Sequence, residues 1–503
     1  MTPGLDPTSD PVFAGLFADE RPSDAGGGGG EARRGMLRPY QPAEPSVLAA
    51  AATGSALVTD ALALVDWVGE NRPVSETGRL EPAAAIEAAA KIGLPTEDLS
   101  ELQLLWTATI AAGLIQLEGS TEQVSAGPAA SPEPTEPTAH LDRWSRLVVG
   151  LLRARAETNS QHDTVGGLGL ASTPLYYTLA RDPMPAGLPA LVLATSMGED
   201  DDFDPAWMVH RLPDAIDMIA RDWAWAGVLL PLESISPEDA EGLDELFEEL
   251  AGDAEDSTGP LGRLLKPLVE AVQESPVVQL TALGDYGLRR VLLAHGWQVP
   301  LVGEAAEVSP DKLLDLLVAY PPEDALAEAE IWLESRGDEW ESALRQVTVS
   351  ARSKNPDWGP GRRAALGAVL RQIGPPVLPL LDTLAGDPWL SAVAADARFE
   401  LGLGPEPTMA EELWLIVDGI SIVLQGTDEE KAEAVDDSAV LEFLRLPGAL
   451  AAAAELSHPH ARLVLELVVN VSGDRELANQ LRQAFEPGSG GRPGRGRPKQ
   501  RRR

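Results

Sequence analysis

Residues 275–296 read SPVVQLTALGDYGLRRVLLAHG, and the fold is decided here. VVQL is a short β-branched and apolar run, which predicts a strand. Thr281 follows as an N-cap, its hydroxyl placed to accept from a backbone N–H of the first helical turn. Apolar residues then recur at helical spacing until Gly296, which stops the helix. A strand returns, the chain caps, and a helix leaves.

The same grammar runs through the segments upstream. LVTDALALVDWVGE (57–70) has helical spacing. NRPVSETGRL (71–80) reads as a turn around Pro73 and Gly78. PAAAIEAAAKIG (82–93) is a helix closed by Gly93. TEDLSELQLLWTATIAAG (96–113) is another, with Ser100 as N-cap and Gly113 as stop, and LIQLEG (114–119) is a short strand. A larger version follows. LDRWSRLVVGLLRARA, PLYYTLARD and AWMVHRLPDAIDMIARDWAWAG are helical, and GVLLPLE is a strand. The acidic helical stretch SPEDAEGLDELFEELAGDAED precedes the return strand.

WVGENRPVSETGRL (67–80), WAWAGVLL (223–230) and VQLTALGDYGLRRVLL (278–293) together resemble a group of large, mostly uncharacterised winged-helix-containing proteins of high-GC bacteria. The resemblance covers about half of the chain and implies two winged-helix-like modules but no activity. Further on, residues 359–402 show a helix, a Gly-Pro-Pro break, a helix, an Asp-Pro turn and a third helix. That order is similar to HEAT repeats, whose helix pairs bury their apolar faces only by stacking on neighbours.

The expected fold is therefore mostly α, with two winged-helix-like modules followed by a HEAT-like helical region and disordered termini. The boundaries are a disordered N-terminal segment at 1–46, a first module at 47–122 and a linker at 123–138. A larger module with an acidic insertion spans 139–303, a HEAT-like region 304–486 and a basic disordered tail 487–503.

Composition narrows the function. Asp and Glu number 79 against 39 Lys and Arg, for a formal charge of −40. The tail carries seven Lys or Arg and no acid, so the rest of the chain bears −47. So acidic a body repels nucleic acid and anionic lipid wherever its charge is not segregated, and it favours basic partners. There is no Cys, which excludes disulfides, thiolate metal sites and Cys nucleophiles. No apolar run is long enough to span a membrane and no secretory leader is evident, so the expected location is the cytoplasm. Only six of the cations are Lys, and Arg with abundant Ala, Gly and Pro suggests a GC-rich bacterial genome.

The tail ends GRPGRGRPKQRRR. Arg495, Gly496, Arg497, Pro498 and Lys499 match the core of an AT-hook. Gly clears the floor of the DNA minor groove, the flanking guanidiniums reach A N3 and T O2, and Pro keeps the backbone extended. Arg492 extends the contact, and Arg501, Arg502 and Arg503 grip phosphates. Three readings stay open: A·T-rich DNA, nonspecific binding to DNA or RNA, and neutralisation of acidic surface in this or another protein.

Elsewhere the basic residues are sparse. The third helix of the first module lacks Lys and Arg, and only Gln103 is suited to a base edge; its apolar residues predict burial. The second module offers Arg211, Arg221, Arg289 and Arg290. Arg352, Lys354, Arg362, Arg363 and Arg371 cluster around Trp358, as a solvated turn or a nucleic-acid contact. His458-Pro459-His460 is the only suggestive metal pair and reads better as a loop or helix start. GEDDDFD (198–204) lacks the spacing of a calcium loop, and Gly166-Gly167-Leu168-Gly169 fails as a phosphate loop. No catalytic residue, cofactor or metal is assigned. The expected function is a non-enzymatic binding protein with protein partners, tethered to nucleic acid by its tail. The alternative is a protein-interaction scaffold with no nucleic-acid role.

Overall fold

The computed structural model describes residues 37–118, 123–130, 136–159, 164–196, 211–256, 260–353, 358–423, 443–472 and 475–485. The chain is mostly helical, with two small sheets, and divides into two compact units, Met1–Pro300 and Leu301–Arg503. No single helix among the described residues is long and apolar enough to cross a membrane.

The first unit opens with extended chain. Leu37 N–H donates to Gln298 O and Tyr40 N–H to Pro300 O, both within 2.9 Å. Residues 37–44, expected within the disordered segment, are thus laid along the 298–300 strip. Arg38 and Tyr40 are buried there. The fixing contacts are long-range, so no local pattern announces them.

Helix α1 (Pro45–Gly54) and α2 (Ala56–Val68) meet at Ser55, whose hydroxyl caps α2 by accepting from Val58 N–H. Strand β1 (Arg72–Pro73), α3 (Pro82–Ile92), α4 (Ser100–Ala111), β2 (Ile115–Glu118) and β3 (Gln123–Ala126) follow. The sheet is antiparallel in the order β1-β3-β2, so the last strand is central. Two expectations change. NRPV, read as a turn, carries β1. QVSA, read as the start of a linker, is β3. Each strand holds only one or two apolar residues, and buried Val124 anchors the middle of the sheet. Ser100 begins α4 instead of capping it, and Asp98 accepts its N–H at 2.9 Å. Gly93 and Gly113 end their helices with positive φ, as expected.

Helix α5 (Pro137–Asn159) leads to α6 (Thr164–Leu179), β4 (Met184–Pro185), α7 (Leu188–Ser196), α8 (Leu212–Trp225) and β5 (Leu229–Pro231). The acidic α9 (Pro237–Asp256) pairs with α10 (Pro260–Gln273) as an inserted hairpin, after which β6 (Val277–Leu280) and α11 (Ala282–Ala294) complete the unit. The second sheet has the order β4-β6-β5, again antiparallel with the returning strand central. The quoted stretch behaves as read: Thr281 Oγ1 accepts from Gly284 N–H at 2.9 Å, and the same hydroxyl donates to Gly227 O at 2.7 Å. The glycine of LTALG has a physical cause. A Cβ at Gly284 would lie 2.2 Å from Val228 O, so only glycine lets α11 start against the end of β5. Gly150 does the same for α5, where a Cβ would lie 2.7 Å from Ala108 O of α4.

The second unit is helical throughout its described residues. Helices α12 (Pro310–Ala319), α13 (Pro322–Glu334), α14 (Trp340–Ala351), α15 (Gly359–Ile373), α16 (Leu378–Leu384) and α17 (Ser391–Glu400) enclose one apolar core. Helices α18 (Met409–Val423), α19 (Ala449–Glu455), α20 (Ala461–Ser472) and α21 (Arg475–Phe485) enclose another. At Gly374-Pro375-Pro376 the chain bends by 117°. At Asp387-Pro388 the Asp387 side chain accepts Trp389 N–H and its carbonyl accepts Ser391 N–H, both at 2.9 Å, which starts α17.

Replacing Gly284 by Ala is expected to destabilise the first unit by about 1–3 kcal/mol, since the added methyl meets backbone. Gly242→Ala, in α9 with nothing within 4 Å of the new Cβ, is the matched control. It is expected to be neutral or stabilising by about 0.5–1 kcal/mol. Urea denaturation followed by circular dichroism of the two variants separates them; equal midpoints would remove the close-approach account.

Candidate functional site

The helices that the sequence offered as candidate DNA readers are packed into the fold. In α4, Leu102, Leu104, Leu105, Trp106, Ala108 and Thr109 are buried, and the helix packs along α5 through the Gly150 approach. Trp106 Nε1 donates to Gly78 O at 3.0 Å. Gln103 is exposed, but its neighbours on both sides are core residues. The burial expected from the sequence is found.

Helix α8 is equally committed. Asp222 accepts two hydrogen bonds from Arg155 of α5, at 2.6 and 2.8 Å. Trp225 Nε1 donates to Asp60 of α2 at 2.8 Å. Facing outward are Asp214, Asp217 and Arg221, and Arg221 pairs with Asp217 at 2.7 Å. That surface is acidic and repels phosphate. Arg289 donates to Val299 O at 3.0 Å and lies over the Tyr40 ring. Arg290 donates to Tyr286 OH and Ser145 Oγ, and burial pushes its guanidinium down to about 10. Neither offers a phosphate clamp.

The described residues of the Arg352–Arg371 cluster disperse in the same way. Arg362 binds both carboxylate oxygens of Asp315, at 2.7 and 2.9 Å, and that partner holds its guanidinium above the usual range. Arg352 pairs with Asp387 at 2.5 Å and Arg371 with Asp396 at 2.7 Å. Trp358 is exposed, but no free basic patch surrounds it among the described residues. Lys354 lies outside them, as do GEDDDFD and the whole 487–503 tail with its Arg492, Arg495–Lys499 and Arg501–Arg503.

Arg363 turns inward and organises the most elaborate polar site of the described chain. It is buried at the start of α15 and grips Asp418 of α18 with Nε at 2.7 Å and Nη2 at 2.5 Å. Its Nη1 donates to Ser353 O. His458, also buried, places Nε2 at 2.9 Å from Asp418 Oδ1, while its Nδ1 accepts His460 N–H at 3.1 Å. An Nδ1 that accepts leaves Nε2 as the donor toward Asp418. Arg363 and Asp418 then cancel as a pair. The Trp414 ring meets His458 edge-on at 4.6 Å, and Trp389 meets Trp414 edge-on at 6.0 Å. Burial raises the Asp418 carboxyl, but the bonds from Arg363 and His458 outweigh it and hold it below the usual carboxylate range.

This cluster joins the two apolar cores of the second unit, since Arg363 borders one and Asp418 and His458 the other. Arg363, Asp418 and His458 are all buried, and their polar atoms meet one another and nearby backbone. His458-Pro459-His460 is accordingly a loop that feeds Asp418, and among the described residues no group of His, Asp and Glu is arranged to hold a metal. The sequence reading placed Arg363 on the surface and did not single out Asp418. The available signal was one carboxylate inside the otherwise apolar run LWLIVDGISIV.

No protein-family model matches the chain, and comparisons with curated proteins and with solved structures give no match.

Asp418→Ala leaves Arg363 charged and buried, which is expected to cost about 3–5 kcal/mol in the second unit. The double replacement Arg363→Met with Asp418→Leu removes both charges and is expected to recover most of that loss. Acid provides a second check. Because Asp418 titrates lower in the folded state, its stabilisation is complete above its ordinary value of about 4 and is lost as pH falls below it. The wild-type unit should weaken on that acid limb more steeply than Asp418→Asn, as followed by urea midpoints from pH 5 downward.

Proposed function

We propose that the protein is a non-enzymatic binding scaffold whose body contacts proteins and whose nucleic-acid affinity, if any partner of that kind is bound, resides in the 487–503 tail. The two helix–strand units of the first half are winged-helix modules in this reading. Support comes from the order helix, strand, helix, helix, strand, strand in the first module and the same order among the described elements of the second once the inserted α9–α10 hairpin is set aside, with the returning strand central each time. The second half is a HEAT-like stack in which helix pairs share cores with their neighbours.

One observation carries the proposal. The third helix of both modules is spent on internal packing, and the arginines around it already have oxygen partners. A winged helix used this way has become a packing unit. A body with a net charge of −47 then attracts nothing through phosphate contacts. What remains is the protein surface and the basic tail. A tether of this kind raises the local concentration of the scaffold near a polyanion without adding a folded contact.

The test is fluorescence anisotropy of A·T-rich and G·C-rich duplexes at low salt, with the full chain and with a chain ending at Glu486. Binding is expected for the full chain only. If all seven tail cations engage, the log–log salt slope is about −6. An A·T preference marks a minor-groove tail, and equal affinity marks a nonspecific one. Binding by the truncated chain would overturn the scaffold reading. Silence from both chains would leave a scaffold without a nucleic-acid role.

A further inference from the structure

Two arginines of the first unit sit in sockets built alike. Arg72 lies over the Trp67 ring at 3.8 Å, donates through Nη2 to Trp67 O at 2.7 Å and meets Glu87 of α3 at 3.5 Å. Arg38 lies over the Tyr177 ring at 4.3 Å, donates through Nε to Tyr177 O at 2.8 Å and meets Asp285 of α11 at 2.5 Å. Each ring stands in the last turn of a helix, Trp67 in α2 and Tyr177 in α6. Carbonyls there have no intrahelical partner and favour a cation. A ring face, a carbonyl and a carboxylate together grip a planar guanidinium, which the compact ammonium of Lys does not match. Each arginine is followed by proline, Pro73 and Pro39.

The sockets differ in what fills them. Arg72 heads β1, five residues after Trp67, so the first socket is filled locally. The strand that follows α6 is β4, and it carries buried Met184 where β1 carries Arg72. The second socket is filled instead by Arg38, 139 residues away from Tyr177 in the sequence. This strap is held at its ends by Leu37 N–H on Gln298 O at 2.9 Å and Tyr40 N–H on Pro300 O at 2.8 Å. Between those donors Pro39 has no N–H to satisfy and favours extended backbone. The ligand of the socket is therefore an extended segment that reads N–H donor, Arg, Pro, N–H donor.

We infer that the Tyr177–Asp285 socket is a recognition site for arginyl-proline segments, occupied by residues 37–40 and open by exchange to the 487–503 tail. Arg-Pro occurs five times in the chain, and two of the five are the socketed pairs. Arg21-Pro22 lies between Glu20 and Asp24, which Asp285 repels. The other two are Arg492-Pro493 and Arg497-Pro498, in a tail without acidic residues. Each is preceded by Gly and followed by Gly494 or Lys499, so either pair supplies both backbone donors and the guanidinium. Seven cations on the tail against a body of −47 add long-range attraction. What the tail lacks is the buried Tyr40 ring. The strap is therefore the stronger ligand, and the tail gains when Arg38 is lost. An exchanged tail is withheld from other partners. The inference uses only the tail's sequence and holds whether or not the tail also binds nucleic acid.

The probe is a fluorescent peptide of residues 487–503, followed by anisotropy at low salt against the full chain. Arg38→Ala is expected to bind it at least about tenfold tighter than the wild-type chain does. A peptide with Arg492→Lys and Arg497→Lys keeps every charge and is expected to bind Arg38→Ala at least about tenfold more weakly. Equal binding of the two peptides would overturn the site, in favour of charge attraction to the acidic body. Equal binding by the wild-type chain and Arg38→Ala would overturn the exchange. Hydrogen exchange tests the wild-type chain with no substitution in it. The tail peptide in large excess is expected to speed exchange at Leu37 and Tyr40, and the Lys peptide is expected to leave it unchanged. No change with the tail peptide would also overturn the proposal. Silence of the full chain toward duplex DNA bears on the nucleic-acid reading alone.

Discussion

Arginines in this protein are outnumbered by carboxylates, and that imbalance governs where they go. Arg38 pairs with Asp285, Arg155 with Asp222, Arg362 with Asp315 and Arg363 with Asp418. Each pair joins segments far apart in the chain. A guanidinium buried without a partner is strongly unfavourable, whereas a planar fork on a carboxylate satisfies both groups with defined geometry. The pairs therefore specify which helices meet more than they add net stability. Arg363 is the extreme case. It holds α15 to α18 across the boundary of two apolar cores, and His458 completes the carboxylate from a third direction.

The first unit uses the same device to close its modules. Trp144 of α5 donates to Ala226 O at 2.7 Å and fills the space over Gly287, where a Cβ would lie 2.4 Å from its ring. Arg155, about three turns further on, locks Asp222 of α8. Helix α5 covers α4 on one side and binds α8 on the other. The acidic α9–α10 hairpin stands where the turn between β5 and β6 would be, and its charge works against phosphate in the same sense.

A binding surface then has to come from what packing leaves open. Among the described residues the groove beside α14 exposes Val349 between Arg345 and Arg352, which are paired with Glu341 and Asp387. The 117° bend at Gly374-Pro375-Pro376 turns the chain before α16 packs onto α17, and Leu344 and Val377 are buried beneath the groove. Pro375 and Pro376 lack the N–H groups that would continue α15, which makes the bend obligatory.

Much of the element order was legible in the sequence because it rests on local chemistry. Thr281, Gly93, Gly113, Gly296, Gly374 and Asp387 act within one turn of themselves, so caps, stops and breaks could be read residue by residue. The burial of α4 was legible too, from a helix without a cation. What stayed hidden depends on partners distant in sequence. Strands β1, β3 and β4 are two to four residues long and exist because a neighbouring strand supplies their hydrogen bonds. Arg363 looks like any surface arginine until Asp418 faces it 55 residues later, and His458 looks like a weak metal ligand until the same carboxylate claims it. Sequence alone determined the charge imbalance, the helical character and the punctuation. Only the tertiary structure decided which arginines were consumed inside and which were left at a surface, because that choice depends on the long-range pairing of buried charges.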